Sequence, residues 1–165
     1  MKMFALVGRS NSGKTTLLEK MLAKYNEAGV RVATIKSIIR EFDIDSPGKD
    51  TYRHRAAGAK ANAITNGKKF AIVSFIENNE SPADIAYKYF EDFDLVIIEG
   101  YKEGDVGKIE LIGDSAEPPL FASGVSNIRM VVTDRDDIDA SPLPMFKRDN
   151  VDEIMAAVEE IFLRS

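Results

Sequence analysis

The segment at residues 8–15 constrains this chain more than any other feature, because its sequence matches the pattern G-x-x-x-x-G-K-[ST] at every position. An apolar run at residues 3–7 precedes it, as a buried parallel strand would. Apolar residues then recur at helical spacing, at Leu17, Leu18, Met21, Leu22 and Tyr25. The sequence therefore predicts a strand, a tight loop and a helix in direct succession, which is the context that this pattern requires.

This loop has the composition of a site for a polyphosphate anion. Several negative charges need converging backbone N–H groups, and only glycine lets the backbone approach them closely. The helix that begins near Lys14 adds the positive end of its dipole. We expect Lys14 to reach the β- and γ-phosphates of a nucleoside triphosphate, Thr15 to bind Mg²⁺, and Thr16 to lie near the α-phosphate. The predicted nucleotide-binding residues of the loop are Gly8, Ser10, Asn11, Ser12, Gly13, Lys14, Thr15 and Thr16.

A second group near the magnesium is predicted at the end of another apolar strand. Residues 95–98 form the most apolar strand of the chain, with Asp94 before it and Glu99 after it. The carboxyl ends of parallel strands meet at one edge of a sheet, so we expect Glu99 to face the phosphates and Asp94 to lie at the opposite edge. Glu99 is predicted to bind a magnesium-bound water or to orient the attacking water. The alternative is that Glu99 only begins a solvated loop.

The rest of the pattern predicts the fold class. Further strands are expected at residues 30–35, 63–65, 70–76, 108–112 and 130–132. Further helices are expected near residues 50–59, from Pro82 after an N-cap at Ser81, and beyond a cap at Asn150. Asn66-Gly67 separates two of the strands and is a strong hairpin signal. We predict one α/β domain over residues 1–165, with a mainly parallel central sheet flanked by helices and an added β-hairpin.

Composition narrows the classes of function. The formal net charge is −5 with acidic and basic residues mixed, which argues against general nucleic-acid binding. There is no cysteine and a single histidine, His54, so disulfides and iron–sulfur clusters are impossible and a zinc site is not expected. No apolar run approaches the ~20 residues of a membrane span, and no signal-peptide pattern precedes the first strand. We expect a cytoplasmic protein that does not bind membranes.

Base recognition is predicted at the end of a later strand. Many GTP-binding proteins read guanine with an Asp in the pattern [NT]-K-x-D. Thr133-Asp134-Arg135-Asp136 follows the strand at residues 130–132 but has Asp where lysine is expected. Asp134 and Asp136 are therefore candidates for guanine recognition, and the alternative is an acidic surface turn.

The polar segment at residues 36–60 has two interpretations. Acidic and basic side chains alternate along it, namely Lys36, Arg40, Glu41, Asp43, Asp45, Lys49, Asp50, Arg53, His54, Arg55 and Lys60. It is either a switch-like segment, whose acids approach Mg²⁺ or water and whose bases meet an anionic ligand, or a solvated helix with i,i+4 charge pairs.

With these motifs identified, the chain resembles the MobB family, small P-loop GTP-binding proteins that assist attachment of GMP to molybdopterin. The resemblance covers almost the whole chain. It depends on residues 8–16, 42–55, 57–59 and 94–102, with weaker likeness at 108–110 and 127–129. The block at 42–55 is the specific part, because unrelated proteins share the phosphate loop. The family often has histidines after the second strand, whereas this chain has Ser37-Ile38-Ile39-Arg40.

The resemblance implies a P-loop NTPase fold that binds GTP and Mg²⁺, with weak GTPase activity. It also raises Asp45 and Asp50 as candidate catalytic residues and Arg53 as a contact for the phosphate of molybdopterin, a second candidate ligand. The implied partners are the molybdenum cofactor guanylyltransferase and a second copy of the chain.

Two other functions remain open from the sequence. A P-loop kinase acting on a small metabolite would use the same loop, although no arginine-rich lid stands out. A binding module would hold nucleotide without turnover. An arginine finger for a GTPase would come from Arg9, from Arg53 or from a partner.

Overall fold

The computed structural model describes residues 1–76 and 78–164, which form two compact units. The first unit comprises Met1–Ile38 and Pro82–Ser165, and the second comprises Ile39–Ser81. One domain over residues 1–165 stays a prediction. In chain order the elements are β1 (Lys2–Val7), α1 (Lys14–Glu27), β2 (Val32–Lys36), α2 (Asp50–Ala56), β3 (Ala61–Thr65), β4 (Phe70–Ser74), α3 (Pro82–Phe90), β5 (Leu95–Glu99), β6 (Lys108–Ile112), β7 (Ile128–Thr133), β8 (Met145–Phe146) and α4 (Val151–Val158). A 3₁₀ turn at Phe121–Ser123 and a π-helical segment at Glu159–Leu163 complete the list.

The first unit is built on a six-stranded sheet in the order β2-β5-β1-β6-β7-β8, in which every neighbouring pair is parallel. The predicted α/β fold with a mainly parallel sheet is therefore confirmed. Since β1 lies between β5 and β6, the loop that follows β1 has strand ends on both sides of it. This is the edge at which parallel sheets place their ligands.

Both faces of this sheet are buried, which explains why its strands are almost continuously apolar. On one face, Leu6 and Ile97 pack with Met21 of α1 and Ile154 of α4. On the other face, the alternate residues of the same strands pack with Ala86 of α3. Each fully buried Leu, Ile or Met contributes about 1.5–3 kcal/mol through removal of apolar surface from water.

Helix α1 begins and ends where the sequence predicts. Gly13 precedes it with φ +92°, a conformation that glycine adopts without steric cost. The predicted apolar stripe is buried at Leu17, Leu18, Met21 and Tyr25. Beyond Ala28, Gly29 has φ +73°, as expected for a residue that ends a helix. The buried stripe attaches this helix to the sheet, which fixes the loop at its N-terminus.

The second unit contains α2 and the antiparallel pair β3–β4, so the predicted hairpin is confirmed. Its turn is closed by Asn66, whose Oδ1 accepts hydrogen bonds from the backbone N–H groups of Lys68 and Lys69 at 3.1 and 2.9 Å. Gly67 has φ +80°. Large apolar side chains of this unit are exposed, including Ile64, Phe70, Ile72 and Phe75.

The structure differs locally from the sequence analysis at two expected positions and in one strand that was missed. Strand β2 begins at Val32 rather than residue 30, because the N–H of Val30 donates to the carbonyl of Tyr25 at the end of α1. The two-residue strand β8 was not predicted, since two residues are too few for a period to show. Asn150 precedes α4, but its side chain makes no capping hydrogen bond.

None of the helices in residues 1–76 and 78–164 has the length and apolar character needed to cross a bilayer.

Candidate functional site

The loop at residues 8–13 is packed tightly against the ends of its neighbouring strands. A Cβ on Gly8 would overlap the carbonyl oxygen of Leu111 and would lie 2.6 Å from Ser12 Oγ. A Cβ on Gly113 would lie 2.9 Å from the Cα of Ser12. Asn11 has φ +59°, which turns the backbone within the loop. The loop is therefore held in shape by contacts that only glycine at residues 8 and 113 permits.

The ammonium group of Lys14 lies inside the curve of this loop. Its Nζ donates to the carbonyl oxygens of Gly8 and Arg9 at 3.2 and 2.7 Å, and to Ser12 Oγ at 3.2 Å. Burial lowers the pKa of Lys14, with smaller effects from Glu99, which raises the pKa, and from Lys102 and Lys36, which lower it. A phosphate group placed here would add opposite charge to an incompletely solvated cation, an arrangement suited to anion binding.

Glu99 meets Thr15 at the edge of the sheet where β5 ends. Thr15 Oγ1 donates to Glu99 Oε1 at 3.2 Å, and the Nζ of Lys36 lies 3.6 Å from the same oxygen. The Glu99 side chain is only 12% exposed. At the other end of the same strand, Asp94 Oδ2 accepts the backbone N–H of Arg31 at 2.8 Å. The structure thus places Glu99 beside the loop and Asp94 at the opposite edge of the sheet.

This pair of oxygen groups fits magnesium. Mg²⁺ binds hydroxyl and carboxylate oxygens, and it commonly uses one or two protein ligands together with phosphate oxygens and water. Thr15 and Glu99 would hold the ion directly or through water, and their role in binding Mg²⁺ stays a prediction.

On the β6–β7–β8 side of the loop, a cavity of about 260 Å³ adjoins the N-terminus of α1. Its walls are Gly13, Thr16, Leu17 and Lys20 from the loop and helix, with Asp134, Arg148 and Asp149 from the segments that follow β7 and β8. Only one of the two residues predicted to recognise the base lines this cavity. Asp134 lines the cavity, whereas Asp136 pairs with Lys147 at 2.6 Å and does not line it.

The other predicted residues belong to the second unit. Asp45 Oδ1 accepts a hydrogen bond from Thr51 Oγ1 at 2.8 Å. Asp50 and Arg53 form an i,i+3 ion pair at 3.7 Å, which is the kind of contact expected for a solvated helix. The roles of Asp45, Asp50 and Arg53 in catalysis or ligand binding stay predictions.

Arg9, one predicted source of an arginine finger, is engaged within the first unit. Its Nη1 pairs with Glu117 at 2.8 Å, and its Nη2 donates to the Pro118 carbonyl at 3.3 Å. These contacts join the phosphate loop to the segment after β6.

Sequence reasoning missed two side chains that shape the site. Glu110 is buried in β6, where its Oε1 and Oε2 accept the backbone N–H groups of Leu120 and Phe121 at 2.5 and 2.9 Å. Burial raises the pKa of Glu110, against smaller opposing effects from these hydrogen bonds. Arg148 lines the cavity beside Gly13. Glu110 could have been found from the sequence, because an acidic residue within an apolar strand is unusual. The position of Arg148 could not, because it depends on strand β8, which was not predicted.

The parallel sheet, the glycine-bounded loop and the lysine and threonine at the start of α1 define a P-loop NTPase-type protein. Within that class, the model of the family MobB, molybdopterin guanine dinucleotide synthesis protein B, matches residues 3–134. The chain belongs to the MobB family.

Individual relatives agree with this assignment. The chain is 31% identical over 118 residues to the molybdopterin-guanine dinucleotide biosynthesis adapter protein of Escherichia coli strain K12, covering 69% of this chain and 67% of the relative. It is 32% identical over 124 residues to the protein of the same name from Haemophilus influenzae strain Rd, covering 72% and 67%. A crystal structure of molybdopterin-guanine biosynthesis protein B superposes with a TM-score of 0.74 at 26% identity, covering 96% of this chain and 99% of that one.

Proposed function

We propose that this protein is a GTP-binding accessory protein of molybdopterin-guanine dinucleotide biosynthesis with weak GTPase activity. The observation that carries the proposal is the hydrogen bond from Thr15 to Glu99 beside the loop at residues 8–15, in a chain of the MobB family. A hydroxyl and a carboxylate at this place are the groups that a magnesium–nucleotide complex requires.

Each residue of the site has a distinct role in this proposal. The backbone N–H groups of residues 8–16 hold the phosphates, and Lys14 exchanges its loop carbonyls for phosphate oxygens. Mg²⁺ supplies neutralisation of the charge on the β- and γ-phosphates when it is bound. Glu99 accepts a hydrogen bond from a water, either one bound to Mg²⁺ or the attacking one, and orients it. Catalysis is therefore positional and electrostatic, and no covalent protein intermediate is needed.

Preference for GTP over ATP is assigned to the segment after β7. Asp134 lines the cavity beside α1, where a base would lie when the phosphates occupy the loop. A carboxylate accepts hydrogen bonds from the ring N–H and 2-amino group of guanine, whereas adenine has no ring N–H at that position. Asp136 is the second candidate.

The proposed partners follow from the family. The related proteins are named adapters of molybdopterin-guanine dinucleotide biosynthesis, so we propose the guanylyltransferase of that pathway as partner and the cytoplasm as location. Molybdopterin is proposed as a second ligand, with Arg53 contacting its phosphate.

We also propose a homodimer formed through the β3–β4 hairpin. Both edges of this two-stranded sheet lack a third strand among the described residues, and Phe70 and Ile72 are 71% and 47% exposed on one of its faces. Exposed strand edges with large apolar side chains favour association. Sedimentation at micromolar concentration should show a dimer, and Phe70→Ser with Ile72→Ser should shift it to monomer. A wild-type protein that sediments only as monomer would remove this part of the proposal.

The central test is calorimetric titration of the wild-type protein with GTP, ATP and their diphosphates, with and without Mg²⁺. We expect GTP to bind more tightly than ATP, and the affinity for GTP to fall when Mg²⁺ is removed. Phosphate release from GTP, with and without the guanylyltransferase, measures turnover. Absence of binding to every nucleotide would overturn the proposed function.

A further inference from the structure

The side chain of Arg148 lies beside the phosphate loop, next to Gly13. It follows β8, and its Nη2 donates to the carbonyl oxygen of Ile112 at 3.0 Å. Its Nη1 lies 3.6 Å from the place that a Cβ on Gly13 would occupy. The guanidinium group is therefore fixed against the end of β6 and beside Gly13, the residue that precedes α1.

Asp134 holds Arg148 from a second direction. The backbone N–H of Arg148 donates to Asp134 Oδ1 at 3.0 Å, and Arg148 Nε lies 3.3 Å from Asp134 Oδ2. Although it lies within ion-pair distance of Asp134, this buried Nε has no hydrogen-bond partner within residues 1–76 and 78–164. The guanidinium is thus held by two contacts, the hydrogen bond to Ile112 and the ion pair with Asp134. The side chain stays 28% exposed and lines the cavity.

The position of Arg148 relates to the departure in the sequence at residue 134. In the pattern [NT]-K-x-D, the second position carries a lysine, and here it carries Asp134. The carboxylate of Asp134 pairs with a cation from the segment after β8. The site therefore has a cation beside the phosphate loop, but as a planar guanidinium rather than an ammonium group. A guanidinium plane stacks on an aromatic ring, which an ammonium cannot do.

We propose that Arg148 stacks on the purine ring of the bound nucleotide and that Asp134 is the positioning residue for this stack. This inference depends on the proposed nucleotide-binding function and adds a base-binding residue to it. With the triphosphate on residues 8–15, the purine enters the cavity between α1 and the segment after β8, where the guanidinium forms one wall. Asp134 Oδ1 accepts one hydrogen bond, from the backbone N–H of Arg148, and the carboxylate has further lone pairs that can accept a hydrogen bond from guanine.

The test compares a ligand that has a base with one that has none. Wild type, Arg148→Ala and Arg148→Lys are titrated by calorimetry with GTP and with inorganic tripolyphosphate, both with Mg²⁺. Arg164→Ala is the matched control, because Arg164 is an exposed arginine that pairs only loosely with Glu159 at 4.0 Å.

We expect Arg148→Ala to weaken GTP binding by roughly 5- to 150-fold, which is the loss of one stacking contact to a base at about 1–3 kcal/mol. We expect its affinity for tripolyphosphate to equal that of wild type, which also shows that the loop is still folded. Arg148→Lys should lose most of the same affinity for GTP, because it keeps the charge without the plane. Arg164→Ala should bind both ligands as wild type does.

Three results would overturn the inference. GTP affinity unchanged in Arg148→Ala removes any contact with the nucleotide. Equal weakening for GTP and tripolyphosphate means that Arg148 acts on the phosphates or on the shape of the loop. Wild-type affinity for GTP in Arg148→Lys means that a positive charge at residue 148 is sufficient and that no stacking contact is made. Failure of the proposed function itself is distinct, because the wild-type protein would then bind neither ligand.

Discussion

Thr15 Oγ1 and Glu99 Oε1 are joined by a hydrogen bond of 3.2 Å, although 84 residues of sequence separate them. The pairing of β1 with β5 produces this contact, because its parallel register sets Leu6 opposite Glu99. The helix that carries Thr15 begins a few residues beyond the same strand, β1. A hydroxyl and a carboxylate are thus placed together by the sheet and by the start of α1.

Lys14→Ala should abolish most of the affinity for GTP and leave the fold intact. Lys14 is the cation inside the loop, and charge-assisted hydrogen bonds contribute about 1.5–3 kcal/mol each, so we expect a loss of about 100-fold in Kd. Calorimetric titration measures the affinity, and circular dichroism checks the fold. Lys24→Ala on the exposed side of the same helix, where Lys24 pairs with Asp152 at 2.6 Å, should bind GTP normally. A Lys14→Ala protein with wild-type affinity would contradict our assignment of the loop.

Glu99→Gln should lower the rate of phosphate release by 10-fold or more and weaken the response to Mg²⁺, while GTP still binds. The amide keeps the shape of the side chain but loses the charge that attracts the ion and strengthens the hydrogen bond from the water. Phosphate release is followed across a Mg²⁺ titration. Asp94→Asn, at the other end of β5, is the control and should leave the rate per folded molecule unchanged. Equal rates in Glu99→Gln and wild type would show that Glu99 takes no part in turnover.

Gly8→Ala should prevent nucleotide binding and lower the free energy of unfolding by about 2 kcal/mol or more. A methyl group there would overlap the carbonyl oxygen of Leu111 and would lie 2.6 Å from Ser12 Oγ, so the loop must shift. Gly124→Ala is the control, since φ at Gly124 is +85° but a Cβ there has open space around it. It should cost only the ~1 kcal/mol of backbone strain. Urea unfolding and GTP titration of both variants distinguish the steric overlap expected at residue 8 from the backbone strain expected at residue 124. Normal GTP binding by Gly8→Ala would contradict the prediction.

Glu110→Gln should destabilise the protein by about 2 kcal/mol, because one of the two backbone N–H groups at Leu120 and Phe121 would face an amide NH₂ instead of an oxygen. Its pH dependence has a definite sign. The pKa of Glu110 is raised in the folded state, so the folded protein retains this proton longer than the unfolded chain does. The protonated Glu110 side chain therefore contributes to the free energy of unfolding at low pH. This contribution is lost as the pH rises from the ordinary pKa of 4.5 through the raised pKa of the folded state.

The measurement is the unfolding free energy of Glu110→Gln and wild type at several pH values between 5 and 8. The deficit of the variant should be largest at the acid end and should shrink toward pH 8. Glu153→Gln on the exposed side of α4 is the control and should show no such trend. A deficit that grows with pH would contradict a raised pKa for Glu110.

The local part of the site could be read from the sequence because its causes are local. The apolar run of β1, the glycines at residues 8 and 13, and the helical spacing of Leu17, Met21 and Tyr25 each act within a few residues of one another. The position of Glu99 at the ligand edge followed from its place after an apolar strand. The residues that contact Glu99 could not be predicted from the sequence, because its contact with Lys36 depends on the pairing of β2 with β5.

The sequence by itself determined the class of fold, the phosphate loop and the hairpin at Asn66-Gly67. These follow from the period of apolar residues and from backbone conformations that only particular residues adopt. Only the tertiary structure decided that Arg148, rather than a lysine at residue 134, lies beside Gly13, and that the buried Glu110 holds the chain at Leu120. The physical reason is that both side chains act through tertiary contacts: Arg148 reaches Ile112, 36 residues away, and Glu110 reaches the non-repetitive loop at Leu120 and Phe121. Their partners are fixed by the strand order β1-β6-β7-β8 and by the exclusion of water, which no local pattern records.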